Sequence, residues 1–281
     1  MSVITFWNNS KRGNIGQTAS MIATATSMAI EHNYKVLVIS TQLNDFDLEK
    51  AYGKYESGTM KFLGIKESKF DSGIEGVMKL ASSGKITPEL INNYTKIVLK
   101  GNRLEVLSGK KENADDETEK FDFNKYPEII KIANRYYDMV FVDLDRGLQK
   151  DMIKKVLEVS NIIIWNMEQK FEIVEEVINF QKEDKLLSKN NVLYLFNKYE
   201  KNSKYNVKNI VRNSSMKKKI FTIPYDIMFG DTIQDGTIDQ WFLNPKIRRA
   251  TIEEEHGFFI SEINKLTEGI IYKLQELHML G

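Results

Sequence analysis

The chain has 281 residues with 40 basic and 39 acidic side chains, a formal charge of +1, so no overall field draws it to nucleic acid or anionic lipid. Its 42% hydrophobic and 28% charged residues are those of a folded protein able to bury a core, and they exclude disorder for most of its length. The absence of cysteine excludes disulfide scaffolds, thiolate nucleophiles, zinc ribbons and cysteine-ligated iron–sulfur clusters.

Three histidines, His32, His256 and His278, stand too far apart in sequence to form a ligand pair at helical spacing, so no zinc site is expected. The N-terminal stretch has no charged lead before a long apolar run, and no apolar window is long enough to span a bilayer. The chain is therefore read as cytoplasmic.

In chain order, the patterns predict a strand at 3–7, a helix at 17–32, a strand at 35–40, helices at 74–83 and 88–98, and a strand at 103–107. A helix at 126–136, a strand at 139–143, a helix at 151–159 and a strand at 161–166 follow. The series ends with a helix at 171–187, strands at 191–197 and 219–223, and an amphipathic helix at 253–280. Runs such as Val36-Leu37-Val38-Ile39 and Ile162-Ile163-Ile164 are apolar throughout, as strands covered on both faces must be. The expected fold is α/β, a doubly wound, mainly parallel seven-stranded sheet flanked by helices, with residues 1–281 forming one domain. The charged stretch at 108–125 is read as an exposed loop.

The most informative segment joins the first strand to the first helix: Ser10-Lys11-Arg12-Gly13-Asn14-Ile15-Gly16-Gln17-Thr18. Glycines at such a turn let backbone N–H groups converge on an anion, and the helix N-terminus adds its positive dipole end. Against the phosphate-loop pattern G-x-x-x-x-G-K-[ST], Gly16 and Thr18 match, Lys11 stands at the first glycine and Gln17 stands at the lysine.

In the order and spacing of its motifs the chain resembles the MinD/ParA family of deviant Walker A ATPases, whose loop reads K-G-G-x-G-K-[ST]. On that template Arg12 takes the place of the signature lysine, Gly13, Gly16 and Thr18 match, and Asn14 replaces a glycine. Met139-Val140-Phe141-Val142-Asp143 resembles the Walker B strand. Ile223-Pro224-Tyr225-Asp226, Gln234-Asp235-Gly236 and Asn197-Lys198 resemble the family's later segments. The likeness covers about 1–50, 136–166 and 190–242. It implies the P-loop NTPase fold, ATP or ADP held by Lys11, Arg12, Gly13, Asn14, Ile15, Gly16, Gln17 and Thr18, with Asn197 and Pro224 near the base. It also implies Mg2+ held by Thr18 and organised through water by Asp143, and a homodimer.

The same comparison shows what is missing. The family's D-x-D after the second strand is replaced by Ser40-Thr41-Gln42, and Gln17 carries no charge to offset a transferring phosphoryl group. Losing a positioned base costs about 10²- to 10⁴-fold in rate, so ATP hydrolysis is expected to be very slow or absent, and no catalytic residue is assigned.

The resemblance implies a degenerate nucleotide-binding switch or scaffold that positions a partner machine, and because pilus-assembly relatives of the CpaE/TadZ type most often have eroded loops, a localisation factor for a pilus or secretion apparatus is the specific expectation. The alternative is a partition protein binding nonspecific DNA through Lys217-Lys218-Lys219 and Arg248-Arg249, which the balanced charge disfavours. The stripe Phe259, Ile263, Leu266, Ile270, Leu274 and Leu277 is expected to pack on the sheet, its mixed-charge opposite face being unlike that of a membrane-docking helix, so peripheral membrane contact is the most this helix is expected to make.

Overall fold

β-Branched and aromatic runs form eight strands that hydrogen-bond into one sheet. They are β1 (Ser2–Trp7), β2 (Val36–Ser40), β3 (Lys96–Leu99), β4 (Leu104–Leu107), β5 (Met139–Asp143), β6 (Ile162–Met167), β7 (Val192–Tyr199) and β8 (Ile220–Pro224). A computed structural model describes residues 1–10, 15–42, 46–53, 73–99, 101, 103–109, 122–189, 191–254 and 256–279. The sheet order is β3-β4-β2-β5-β1-β6-β7-β8, and every pairing is parallel except that of β3 with β4.

The helices are α1 (Gln17–Glu31), α2 (Phe46–Ala51), α3 (Ile74–Ser82), α4 (Pro88–Asn92), α5 (Tyr126–Ala133) and α6 (Lys150–Glu158). Beyond them lie α7 (Phe171–Glu183), α8 (Val207–Asn213), α9 (Ile227–Asp235), α10 (Ile238–Leu243), α11 (Pro245–Arg248) and α12 (Gly257–Met279). Successive strand residues point to opposite faces, so β5 sends Val140 and Val142 into one apolar cluster and Met139 and Phe141 into the other. The first cluster takes residues of α3, α5, α6 and α7, and the second those of α1, α2 and α9 to α12. Both faces are covered, which is why the strands read as unbroken apolar runs.

The sheet has eight strands where seven were expected, because the predicted helix at 88–98 ends at Asn92 and Lys96–Leu99 forms the antiparallel edge strand. Asparagines at 92 and 93 end the helix in a turn. Thr95 Oγ1 then donates to the buried Glu105 Oε2 at 2.6 Å, which holds the next residues against β4. The short helices α2, α8, α10 and α11 carried too few turns for a periodic signal, and α9, though as long as α3, was not read from the sequence. The C-terminal helix starts at Gly257, four residues later than the pattern suggested.

β1 lies between β5 and β6, so the chain crosses to opposite sides of β1 and opens a crevice at the carboxyl ends of β1, β2 and β5. The segments at 11–14 and 110–121, the first carrying the predicted site residues Lys11, Arg12, Gly13 and Asn14, lie outside the described residues.

Candidate functional site

Asp143 ends β5 in register with Phe6 of β1 and Ser40 of β2, so strand pairing alone delivers its carboxylate to the crevice. There it is fully buried, and three uncharged side chains donate to it. Gln17 Nε2 reaches Oδ1 at 2.6 Å, while the Thr18 hydroxyl and Gln42 Nε2 reach Oδ2 at 2.6 and 2.8 Å. Gln42 Nε2 also lies 3.2 Å from Thr18 Oγ1. Gln17 is held from behind, its Oε1 accepting from Asn8 Nδ2 at 2.7 Å and its Nε2 donating to the Leu144 carbonyl at 3.2 Å. A buried carboxylate is tolerated only when its lone pairs are satisfied, and this clasp supplies donors from α1 and from the residue that follows Thr41.

Thr41 joins the two strand ends beneath the clasp. Its backbone N–H and hydroxyl both reach the Asp143 carbonyl, at 3.0 and 3.1 Å, and its Oγ1 accepts from Asp145 N at 2.8 Å. Tyr126 OH donates to the Ser40 carbonyl at 3.2 Å. The segment Ser40-Thr41-Gln42, which lacks both carboxylates of the family pattern, is thus a fixed hydrogen-bonding piece of the site.

Thr18 and Asp143, where the resemblance implies Mg2+, are hydrogen-bonded to each other among the described residues. Amide N–H groups of Gln17 and Gln42 face the Asp143 oxygens, and an amide nitrogen offers Mg2+ no lone pair. Among the described residues no three histidine, aspartate or glutamate side chains gather as a metal site.

On the far side of the loop, Gly16 adopts φ +87°, a left-handed conformation that favours glycine, and the Lys198 side chain passes 3.4 Å from where a Cβ would stand. Gly16, Ser20, Lys198, Pro224, Phe229 and Gln234 help line a cavity of about 340 Å³. Pro224, implied by the resemblance to lie near the base, is on the wall of this cavity. Asn197 lies next to this space, its Oδ1 accepting from Ser20 Oγ at 2.7 Å and its Nδ2 donating to Asn166 Oδ1 at 3.1 Å. It is buried, and so is Ile15.

The two later motifs act locally. Asp226 caps α9 by accepting from Phe229 N at 2.8 Å, and its other oxygen meets His256 Nδ1 at 2.7 Å. Gly236 closes α9 onto α2, where a Cβ would stand 2.6 Å from the Lys50 carbonyl. Arg248 is engaged by Glu31 through two hydrogen bonds of 2.7 and 2.9 Å. Sequence reasoning did not assign Asn8 or Gln42 to the site. Asn8 directly follows β1 and Gln42 is the second residue after β2, both at the sheet's carboxyl edge, and that position was the available signal.

No family model and no curated protein sequence matches the chain. Solved structures do match its fold. A ParA family ATPase from Chlorobium tepidum TLS aligns at a TM-score of 0.65 with 13% identity, covering 97% of this chain and 98% of that one. The septum site-determining protein MinD of Pyrococcus horikoshii OT3, complexed with Mg-ADP, aligns at 0.63 with 17% identity over 96% and 97%. The MinC:MinD cell division complex of Aquifex aeolicus aligns at 0.62 with 18% identity over 96% of each chain. With its strand order, its loop at the head of α1 and its aspartate at the end of β5, the chain has the fold of the MinD/ParA ATPases.

Proposed function

We propose that the protein is a nucleotide-binding switch or scaffold of MinD/ParA type that has given up hydrolysis and, as a homodimer, positions a partner machine such as a pilus or secretion apparatus. The observation that carries this reading is the Asp143 clasp. Where an ATPase of this fold needs a lysine and carboxylates to manage a phosphoryl group and its metal, Gln17 and Gln42 present uncharged amides locked to Asp143. Such a site can hold an anion, and among its described residues none is a positioned base that would activate water.

The polyphosphate of ATP or ADP would lie along 11–18, with the cations Lys11 and Arg12 and the backbone at Gly13, Asn14, Ile15 and Gly16 as its partners. The base and sugar would enter the cavity lined by Lys198 and Pro224, and binding would depend little on Mg2+ at Thr18 and Asp143. Among proteins of this fold, the Pyrococcus one holds Mg-ADP and the Aquifex one is complexed with MinC, which is the precedent for a nucleotide and a protein partner.

Calorimetric titration with ATP, with and without Mg2+, tests the reading alongside a turnover assay. Binding of similar strength in both conditions and no turnover are expected. Lys198→Ala should weaken binding about tenfold, the worth of one charge-assisted contact, and Gly16→Arg should abolish it. Magnesium-dependent turnover, or no heat of binding from a protein that melts normally, would overturn the proposal.

A further inference from the structure

A cavity of about 460 Å³ opens on the opposite flank from the Asp143 clasp, between the β7–β8 edge and α12. Its wall carries Lys218, Lys219, Lys265 and Lys273 against Glu268 and Glu276. Lys273 is largely withdrawn from water, its side chain 11% exposed, and its Nζ donates to Glu276 at 2.9 Å. Lys218 is half-buried on the same wall, its Nζ 5.8 Å from the centre of the Tyr194 ring. Burial, and then the Lys273 charge, hold the Lys218 pKa below the ordinary lysine range. Neither Lys218 nor Lys219 has a carboxylate partner among the described residues. Lys265 is engaged by Glu262 at 2.5 Å.

The remaining wall is aromatic. Lys219 Nζ lies 4.6 Å from the centre of the Phe221 ring. Gly269 of α12 faces that ring so closely that a Cβ would approach its Cζ to 2.3 Å, so the helix backbone itself seats Phe221. Tyr272 stands at the rim with 69% of its surface exposed.

Lys218 and Lys219 have no carboxylate partner among the described residues and Glu268 on the same wall offsets one of the two charges, so the remaining excess calls for an anion, and the flat apolar wall calls for a planar group beside it. The cavity is bounded on the helix side, Arg248 is already committed to Glu31, and the whole chain is near neutrality, which favours a small molecule over a polyanion. We infer that this cavity is a second ligand site, taking a small phosphorylated molecule with a planar apolar part, of the chemical class of a nucleoside monophosphate. The phosphate would sit between Lys218, Lys219 and Lys273, and the planar part would lie against Phe221 and Tyr272. The site is separate from Gly16 and does not rest on the function proposed above.

Pyridoxal 5′-phosphate is a suitable probe, because it is planar, phosphorylated and forms an imine with a lysine amine that borohydride then fixes. Mass mapping of the intact protein should find Lys218 modified at least about tenfold faster than the average surface lysine, in keeping with one added charge-assisted contact. Adenosine monophosphate should suppress that adduct, and sodium chloride at equal ionic strength should not. Lys219→Gln and Tyr272→Ala, both at exposed positions, should reduce the protection while leaving the melting temperature unchanged. Modification spread evenly over the lysines, or protection by the nucleotide no better than by salt, would overturn the inference. Protection by anionic vesicles alone would also overturn it, assigning the cavity to lipid.

Discussion

Gln17 stands where a phosphate loop of this type carries its lysine, and the structure gives it a different task. Its amide bridges Asn8 and Asp143 in a buried position, each end matched to a single partner type. Gln17→Ala would leave an amide and a carboxylate oxygen without their contacts, at a cost of about 1–3 kcal/mol in urea unfolding. Gln17→Glu has nearly the same shape and should cost more, because it sets a second carboxylate against Asp143. Two carboxylates at this distance share a proton, so the Gln17→Glu penalty should shrink as pH falls through the carboxylate range. Equal costs for the two variants at neutral pH would mean that the amide is not a donor to Asp143.

The last helix shows how an element's surroundings decide its meaning. Ile263, Leu266 and Ile270 of α12 are fully buried against α1 and β8, so the stripe that could in isolation lie on a lipid surface is spent on the sheet. Among the described residues no helix is long and apolar enough to cross a membrane. Ile270→Ala should destabilise the protein by about 2–5 kcal/mol through a cavity in this layer, measured by denaturant midpoint. Tyr272→Ala on the outer face should change it by less than about 0.5 kcal/mol. At the other edge of the sheet, β3 is held to β4 through Glu105, which accepts from Thr95 at 2.6 Å and Tyr137 at 2.5 Å.

Over the whole molecule, buried phenols tie stability to alkaline pH. Burial raises the pKa of Tyr52, Tyr137 and Tyr194 above 10.0, with Tyr194 pushed up to about 12. Because the folded state disfavours phenolate, the stabilisation is fully present below pH 10 and is lost as pH rises through these folded-state values. Lys218 has the opposite sign, since its lowered pKa makes protonation costly in the fold and that cost fades as pH rises. Three phenols outweigh one half-buried lysine, so a pH titration read by circular dichroism should show cooperative unfolding above pH 10, and the tyrosinate absorbance of these residues should rise with it. Ionisation well before unfolding would contradict the burial.

Sequence alone determined seven of the eight strands, the glycine-containing turn that opens α1 and that the last helix has an apolar face. These are short-range properties: residue type and periodicity decide them within one element. It could not decide who holds Asp143, because Gln17 and Gln42 stand 126 and 101 residues away and meet it only once β1, β2 and β5 lie side by side. The same holds for Asn197, whose amide partners Ser20 and Asn166 stand 177 and 31 residues away. The edge strand at 96–99 also depends on a distant partner, as does the cavity that Lys218 and Lys273 both line. In each case a polar or edge group is satisfied by whatever the sheet order sets beside it, and that order is a property of the assembled core.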